Sequence, residues 1–217
     1  MGYADIRAVV NKITTLPVTV FLTHAHWDHI GGMNSFNNIS ILNDPFECEQ
    51  IKKGFHSSNI SELCQHSLFD KPFLPKKFDV LGIKNFETFD NGQTLRFDSF
   101  DINIIHTPGH TPGSTCFLIN NLGILISGDN LYSGPIYLQL TESNFLSYTQ
   151  SIKHLMRIKS SIKFILPGHN TVIEDKGLLT SANSLCHKIL HNAISPSTFT
   201  NWDEYKEDRL SILLPAS

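Results

Sequence analysis

Residues 23–32 read THAHWDHIGG. Four metal-capable side chains, His24, His26, Asp28 and His29, fall within six residues, directly after an apolar strand expected over 18–23. In an extended stretch His24, His26 and Asp28 share one face, because side chains alternate along a strand. His29 falls off that alternation, which fits a chain that turns into a helix there. One stretch then presents two sets of ligands to two neighbouring ions, and imidazole with carboxylate suits a borderline cation such as zinc. Three imidazoles and a carboxylate crowded together cost solvation unless something binds them.

Three more ligand-type residues recur in the same setting. His110 sits in TPGHTPGS (107–114), Asp129 in SGDNLY (127–132) and His169 in LPGHN (166–170). Each lies just past a strand expected over 100–106, 123–127 or 162–166, in a glycine-bearing turn at the sheet rim, where α/β ligands gather. Seven ligands from four strand ends suit two metals about 3.5–4 Å apart. His56, His66, His106, His154, His187 and His191 stand alone and read as surface or scaffold. Cys116, in an apolar strand, reads as core.

The remaining pattern alternates helices and strands. Ile6, Val9, Val10 and Ile13 predict an amphipathic helix over 3–14. A strand is expected over 39–42, followed by a helix capped by Asp44, with Pro45 in its first turn and Glu47 at the capping-box position. Residues 55–86 lose periodicity and read as a loop-rich excursion. Hairpins are expected for 94–97 with 100–106 and for 114–119 with 123–127. Helices over 143–158 and 176–192 and strands over 162–166 and 209–214 complete a layered α/β or α+β pattern. No linker divides the chain, so one domain over 1–217 is expected.

Composition narrows the function. The 217 residues are 41% hydrophobic and 17% charged, enough for a real core. Seventeen Lys+Arg against 20 Asp+Glu give a net charge of −3, without the basic footprint of a general nucleic-acid binder. No apolar run approaches a membrane span and no signal peptide opens the chain. Four cysteines without C-x-x-C pairing favour a reducing, cytoplasmic setting. The expected partner is a small-molecule substrate, with no nucleic acid and no membrane.

The H-x-H-x-D-H stretch at 24–29, Gly31-Gly32, and then TPGHTPGS, SGD and PGH in that order resemble the metallo-β-lactamase fold hydrolases across about 18–170. The resemblance implies an α+β fold, the four-layer αββα sandwich with two metals at one edge of its sheets. It implies that His24, His26 and His110 hold the first metal and Asp28, His29 and His169 the second, with Asp129 bridging. Zn(2+), two ions per chain, is the implied cofactor, with iron or manganese as alternatives. The resemblance further implies that the two ions would supply an activated water to attack a carbonyl, with Asp28 and Asp129 orienting it.

A bridging Asp129 is similar to the glyoxalase II and lactonase type. The SGDNLYSGPIYLQL stretch and the aromatic excursion are similar to thioester- or lactone-cleaving members, acyl-CoA hydrolase relatives included. The expected activity is hydrolysis of a thioester, lactone or related ester. A mononuclear iron persulfide dioxygenase is the alternative within the family. Substrate choice is expected from the excursion, with Phe69, Phe73, Phe78, Lys71, Lys76 and Lys77, and from Tyr132, Ile136 and Tyr137 after Asp129. Tyr132 is a candidate catalytic residue, its hydroxyl donating to the substrate carbonyl. Family members begin with several strands ending in an Asp-Thr-Gly turn, whereas here Met1-Gly2 stands almost at that turn. The first N-terminal strands are therefore expected to be lacking, which exposes sheet edges that favour a homodimer and leaves an inactive remnant as a further alternative.

Overall fold

The computed structural model describes residues 4–57 and 79–216. Phe69, Phe73, Phe78, Lys71, Lys76, Lys77 and His66, and most of the expected excursion, lie outside the described residues. Backbone contacts gather into two compact units, Met1–Phe89 and Asp90–Ser217, a finer division than the single domain counted from sequence.

In the first unit, helix α1 (Ile6–Ile13) starts where the Asp5 carboxylate accepts from the Ala8 N–H at 3.1 Å. Strands β1 (Thr19–Phe21), β2 (Asn38–Leu42) and β5 (Glu87–Phe89) form a parallel sheet in the order β1-β2-β5. A small antiparallel pair joins β3 (Gly54–Phe55) to β4 (Val80–Leu81). The crossovers carry a short helix α2 (Trp27–Ile30) and helix α3 (Pro45–Lys53). Asp44 caps α3 as expected, its Oδ1 accepting from Phe46 and Glu47 N–H at 2.9 and 3.3 Å. Leu22, Ala25, Ile30, Met33, Ile39, Ile41, Ile51 and Val80 form the core of this unit. The amphipathic helix α1 is present, yet none of its residues is buried. Its Ile6, Val9 and Val10 instead face Val18, Val20 and Leu22 across a cavity of about 490 Å³.

The second unit holds two sheets. Strands β6 (Thr94–Arg96), β7 (Asp101–His106), β8 (Thr115–Ile119) and β9 (Ile124–Gly128) run as an antiparallel meander, as the two expected hairpins require. Strand β11 (Phe164–Pro167) adds parallel to β9, and β12 (Glu174–Asp175) closes that edge antiparallel to β11. The other sheet has the order β10-β15-β14-β13, with β10 (Gly134–Tyr137) parallel to β15 (Leu210–Pro215). Its remaining strands are β13 (Ser197–Thr198) and β14 (Trp202–Glu207). Helices α4 (Phe145–Arg157) and α5 (Gly177–Leu190) pack on one another. Tyr148, Ile152 and Leu155 of α4 share one core with Leu178, Ala182 and Leu185 of α5, and with Leu118, Leu125, Ile136 and Ile212 from both sheets. Among the described residues no helix is long and apolar enough to cross a membrane.

This topology aligns three strand ends. Because β8 runs opposite to both β7 and β9, and β11 runs with β9, the C-terminal ends of β7, β9 and β11 open on the same edge. The turns that follow carry His110, Asp129 and His169.

Candidate metal centre

In the second unit the three turns bring their ligand-type side chains together. One Asp129 carboxylate oxygen, Oδ2, lies 3.0 Å from His169 Nε2 and 3.5 Å from His110 Nε2. His110 Nδ1 meets the Tyr137 carbonyl at 2.8 Å, and since a carbonyl only accepts, Nδ1 carries the proton. The lone pair is thereby left on Nε2, the atom turned toward Asp129, which is the second-sphere arrangement that metal-binding histidines use.

The turns themselves are held firmly. Gly109 has φ 147°, and a Cβ there would lie 2.4 Å from the Tyr148 Cα, so α4 abuts the backbone beside His110. Ser143 and Ser151 hydroxyls donate to the His110 and Pro108 carbonyls, each at 2.7 Å. The Asn130 amide donates to Thr107 Oγ1 at 2.8 Å, tying the Asp129 turn to the start of the His110 turn. A register irregularity between Leu166 and Pro167 falls inside the last pair of β11 residues, shortly before His169. Asn170 follows in the left-handed region at φ 66°, its amide donating to the Ser133 carbonyl at 2.7 Å.

In the first unit the extended run ends sooner than the alternation of side chains predicted. Helix α2 begins at Trp27, so Asp28 does not continue the face of His24 and His26. The helical turn instead returns His29 to His24, with ring centroids 4.2 Å apart, while His24 and His26 meet edge-on at 4.8 Å. Asp28 Oδ2 lies 3.6 Å from His29 Nε2. Thr23 Oγ1 contacts His24 Nδ1 at 3.1 Å. All four side chains thus stay together, by a helical return rather than by strand alternation. Within each unit, taken by itself, the clustered imidazole nitrogens and carboxylate oxygens are of the donor type that fits a borderline divalent cation.

A family model described as the metallo-beta-lactamase superfamily matches residues 17–169. The chain belongs to that superfamily. It is a metal-dependent hydrolase of α+β fold. Its sequence is 24% identical over 194 residues to an acyl-coenzyme A thioesterase MBLAC2 of Bos taurus, covering 84% of this chain and 69% of that protein. It is 28% identical over 142 residues to a hydroxyacylglutathione hydrolase GloC of Haemophilus influenzae, covering 61% and 59%. A solved metallo-beta-lactamase family protein from Thermus thermophilus, TTHA1429, superposes with a TM-score of 0.59 at 19% identity, covering 83% of this chain and 65% of that one. That likeness shows the fold.

Tyr132 departs from its expected role in this superfamily site. Its ring is buried and stands edge-on to His169 at 5.4 Å, and its hydroxyl donates to the Pro135 carbonyl at 2.5 Å. Burial first, and then the Asp129 carboxylate, push the phenol well above its ordinary pKa, so it stays protonated. With its single proton committed inward, Tyr132 packs beside His169 and has no proton left to give a substrate carbonyl. Of the lone histidines, His106 is scaffold, its Nε2 meeting the Pro112 carbonyl at 2.7 Å inside the TPGHTPGS turn, whereas His56, His154, His187 and His191 are exposed.

Two buried carboxylates near the ligand turns were not singled out from sequence as site residues. Glu47 Oε2 accepts the Ala25 N–H at 2.6 Å, between His24 and His26. Glu174 Oε1 accepts from Ser133 Oγ at 2.5 Å and Thr171 Oγ1 at 2.8 Å, joining the loops after Asp129 and His169. Glu47 lay hidden as an ordinary capping-box residue, and Glu174 carried no local signal.

Proposed function

We propose that the chain cleaves a thioester of a small acyl group, and that His24, His26, Asp28, His29, His110, Asp129 and His169 would hold the two zinc ions this chemistry uses. The observation that carries the metal centre is Asp129 Oδ2 with imidazole nitrogens of His110 and His169 both within 3.5 Å. The thioesterase and hydroxyacylglutathione hydrolase relatives support a thioester as the substrate class. When bound, the ions supply Lewis-acid polarisation of the carbonyl and an activated water.

The chain's own residues do the rest. His110, fixed by the Tyr137 carbonyl, presents Nε2 without having to reorient. Asp28 orients the attacking water and receives its proton at a carboxylate oxygen, then returns it to the departing thiolate. Buried Tyr132 and the packed TPGHTPGS turn keep His110 and Asp129 out of solvent. No serine, cysteine or lysine nucleophile is needed. A small-molecule substrate in a reducing, cytoplasmic compartment fits this chemistry.

Metal analysis and thiol release together test the reading. The full chain purified with zinc is expected to hold two ions and to liberate coenzyme A from short acyl-coenzyme A esters. His29→Ala is expected to retain at most one ion and to lose at least a hundredfold in turnover. Two bound zinc ions without thioester cleavage remove the substrate assignment. One iron with oxygen consumption on a persulfide moves the chain to the dioxygenase chemistry.

A further inference from the structure

Glu47 is a buried carboxylate for which the hydrolytic chemistry has no direct use. Its carboxylate is fully buried, and its short bond to the Ala25 N–H has the length of a charge-assisted contact. Ala25 is itself fully buried and stands between His24 and His26. Holding its amide fixes the peptide that joins two imidazole-bearing residues. Two local facts send Glu47 there. In a capping box its carboxylate would turn back to the Asp44 N–H, but that N–H is spent on the Leu42 carbonyl at 2.7 Å. As the third residue of α3, Glu47 also sits in the first helical turn, whose positive end favours an ionised carboxylate.

We infer that Glu47 is a positioning residue for the metal ligands of the THAHWDH stretch, fixing the Ala25 peptide and placing a permanent negative charge behind His24 and His26. The inference rests on the metal-dependent reading above. A carboxylate removed from water is favoured beside positive charge, and a cation held by imidazoles is favoured beside a fixed anion. Each stabilises the other. Outer partners of this kind are worth about 10–100-fold in metal affinity.

The test compares the full chain with Glu47→Gln, which keeps an oxygen for the Ala25 N–H and the side-chain volume but removes the charge. Zinc affinity is read by chelator competition, ligand geometry by the visible spectrum of the cobalt-loaded protein, and folding by the metal-free unfolding midpoint. Glu47→Gln is expected to weaken zinc binding about tenfold or more and to shift the cobalt bands, while the metal-free midpoint stays close to wild type. Where Glu47→Gln does not fold, Glu47→Asp carries the test. It keeps the charge but falls short of Ala25, and at least a threefold loss of zinc affinity is expected. A folded variant that binds zinc as tightly as the wild type, with unchanged cobalt bands, overturns the inference alone. A wild-type chain that takes up no zinc overturns the metal-dependent reading and this inference together.

Discussion

At Tyr132 a hydroxyl suited to a substrate carbonyl is turned inward onto Pro135, and the ring is left as a wall beside His169. Tyr132→Phe keeps that wall and removes one buried hydrogen bond. Turnover on acyl thioesters is expected to stay within about threefold and metal content to be unchanged, while stability falls by about 1 kcal/mol in denaturant titration. A large loss of turnover with full metal content would restore the hydroxyl to the chemistry. The seven ligand-type side chains stand out in the sequence because each is a rare residue in a marked context, either crowded within 24–29 or set in a glycine-bearing turn after a strand. Tyr132 and Glu47 were misjudged for one reason. Sequence fixes which groups are near along the chain, but the direction of a side chain depends on which backbone groups are already occupied around it.

Among the elements, helices α3, α4 and α5 and the β6 to β9 meander were legible, since capping residues, helical periodicity and tight turns are all local signals. Strand β14 was not, because WDEYKE reads as a polar loop. It is a strand because β13 and β15 pair with both its edges and Asp203 is drawn inside. The pairing of β10 with β15 was equally hidden, since GPIY carries a proline and its partner lies far along the chain.

One ion-pair cluster joins two such distant elements. Arg209, just before β15, reaches Glu174 Oε2 at 2.8 Å and Asp175 Oδ2 at 2.9 Å in β12. Arg209→Met leaves the buried Glu174 carboxylate with only the Ser133 and Thr171 hydroxyls as partners and is expected to cost about 1–3 kcal/mol at neutral pH. The Arg209 hydrogen bond holds the Asp175 carboxyl below its ordinary pKa. Its contribution is therefore present above the ordinary aspartate range and is lost as pH falls through the lowered value. Urea unfolding of both proteins is expected to show the gap narrowing below about pH 4. A gap that is constant down to pH 2 would mean that packing, not charge, is what Arg209 supplies.

For the molecule as a whole, the thiols report on cooperativity. Burial pushes Cys116 up to about 11 and Cys186 up to about 12, whereas Cys48 is only half-buried. At pH 8 neither buried thiol forms appreciable thiolate or meets solvent, so iodoacetamide is expected to modify Cys48 and spare both. In rising denaturant Cys116, on β8, and Cys186, on α5, are expected to become reactive at one midpoint, because they belong to the same core. Peptide mapping that finds Cys186 modified well before Cys116 would show that α5 opens by itself.

The parallel pairing of β10 with β15 also sets an order of events during synthesis. The ribosome delivers Gly134–Tyr137 long before Leu210–Pro215, and among the described residues β10 pairs with no strand but β15. At about 5–20 residues per second its edge waits on the order of several seconds for the strand that completes it. During that interval the buried side of β10, Ile136 above all, is open to any passing strand.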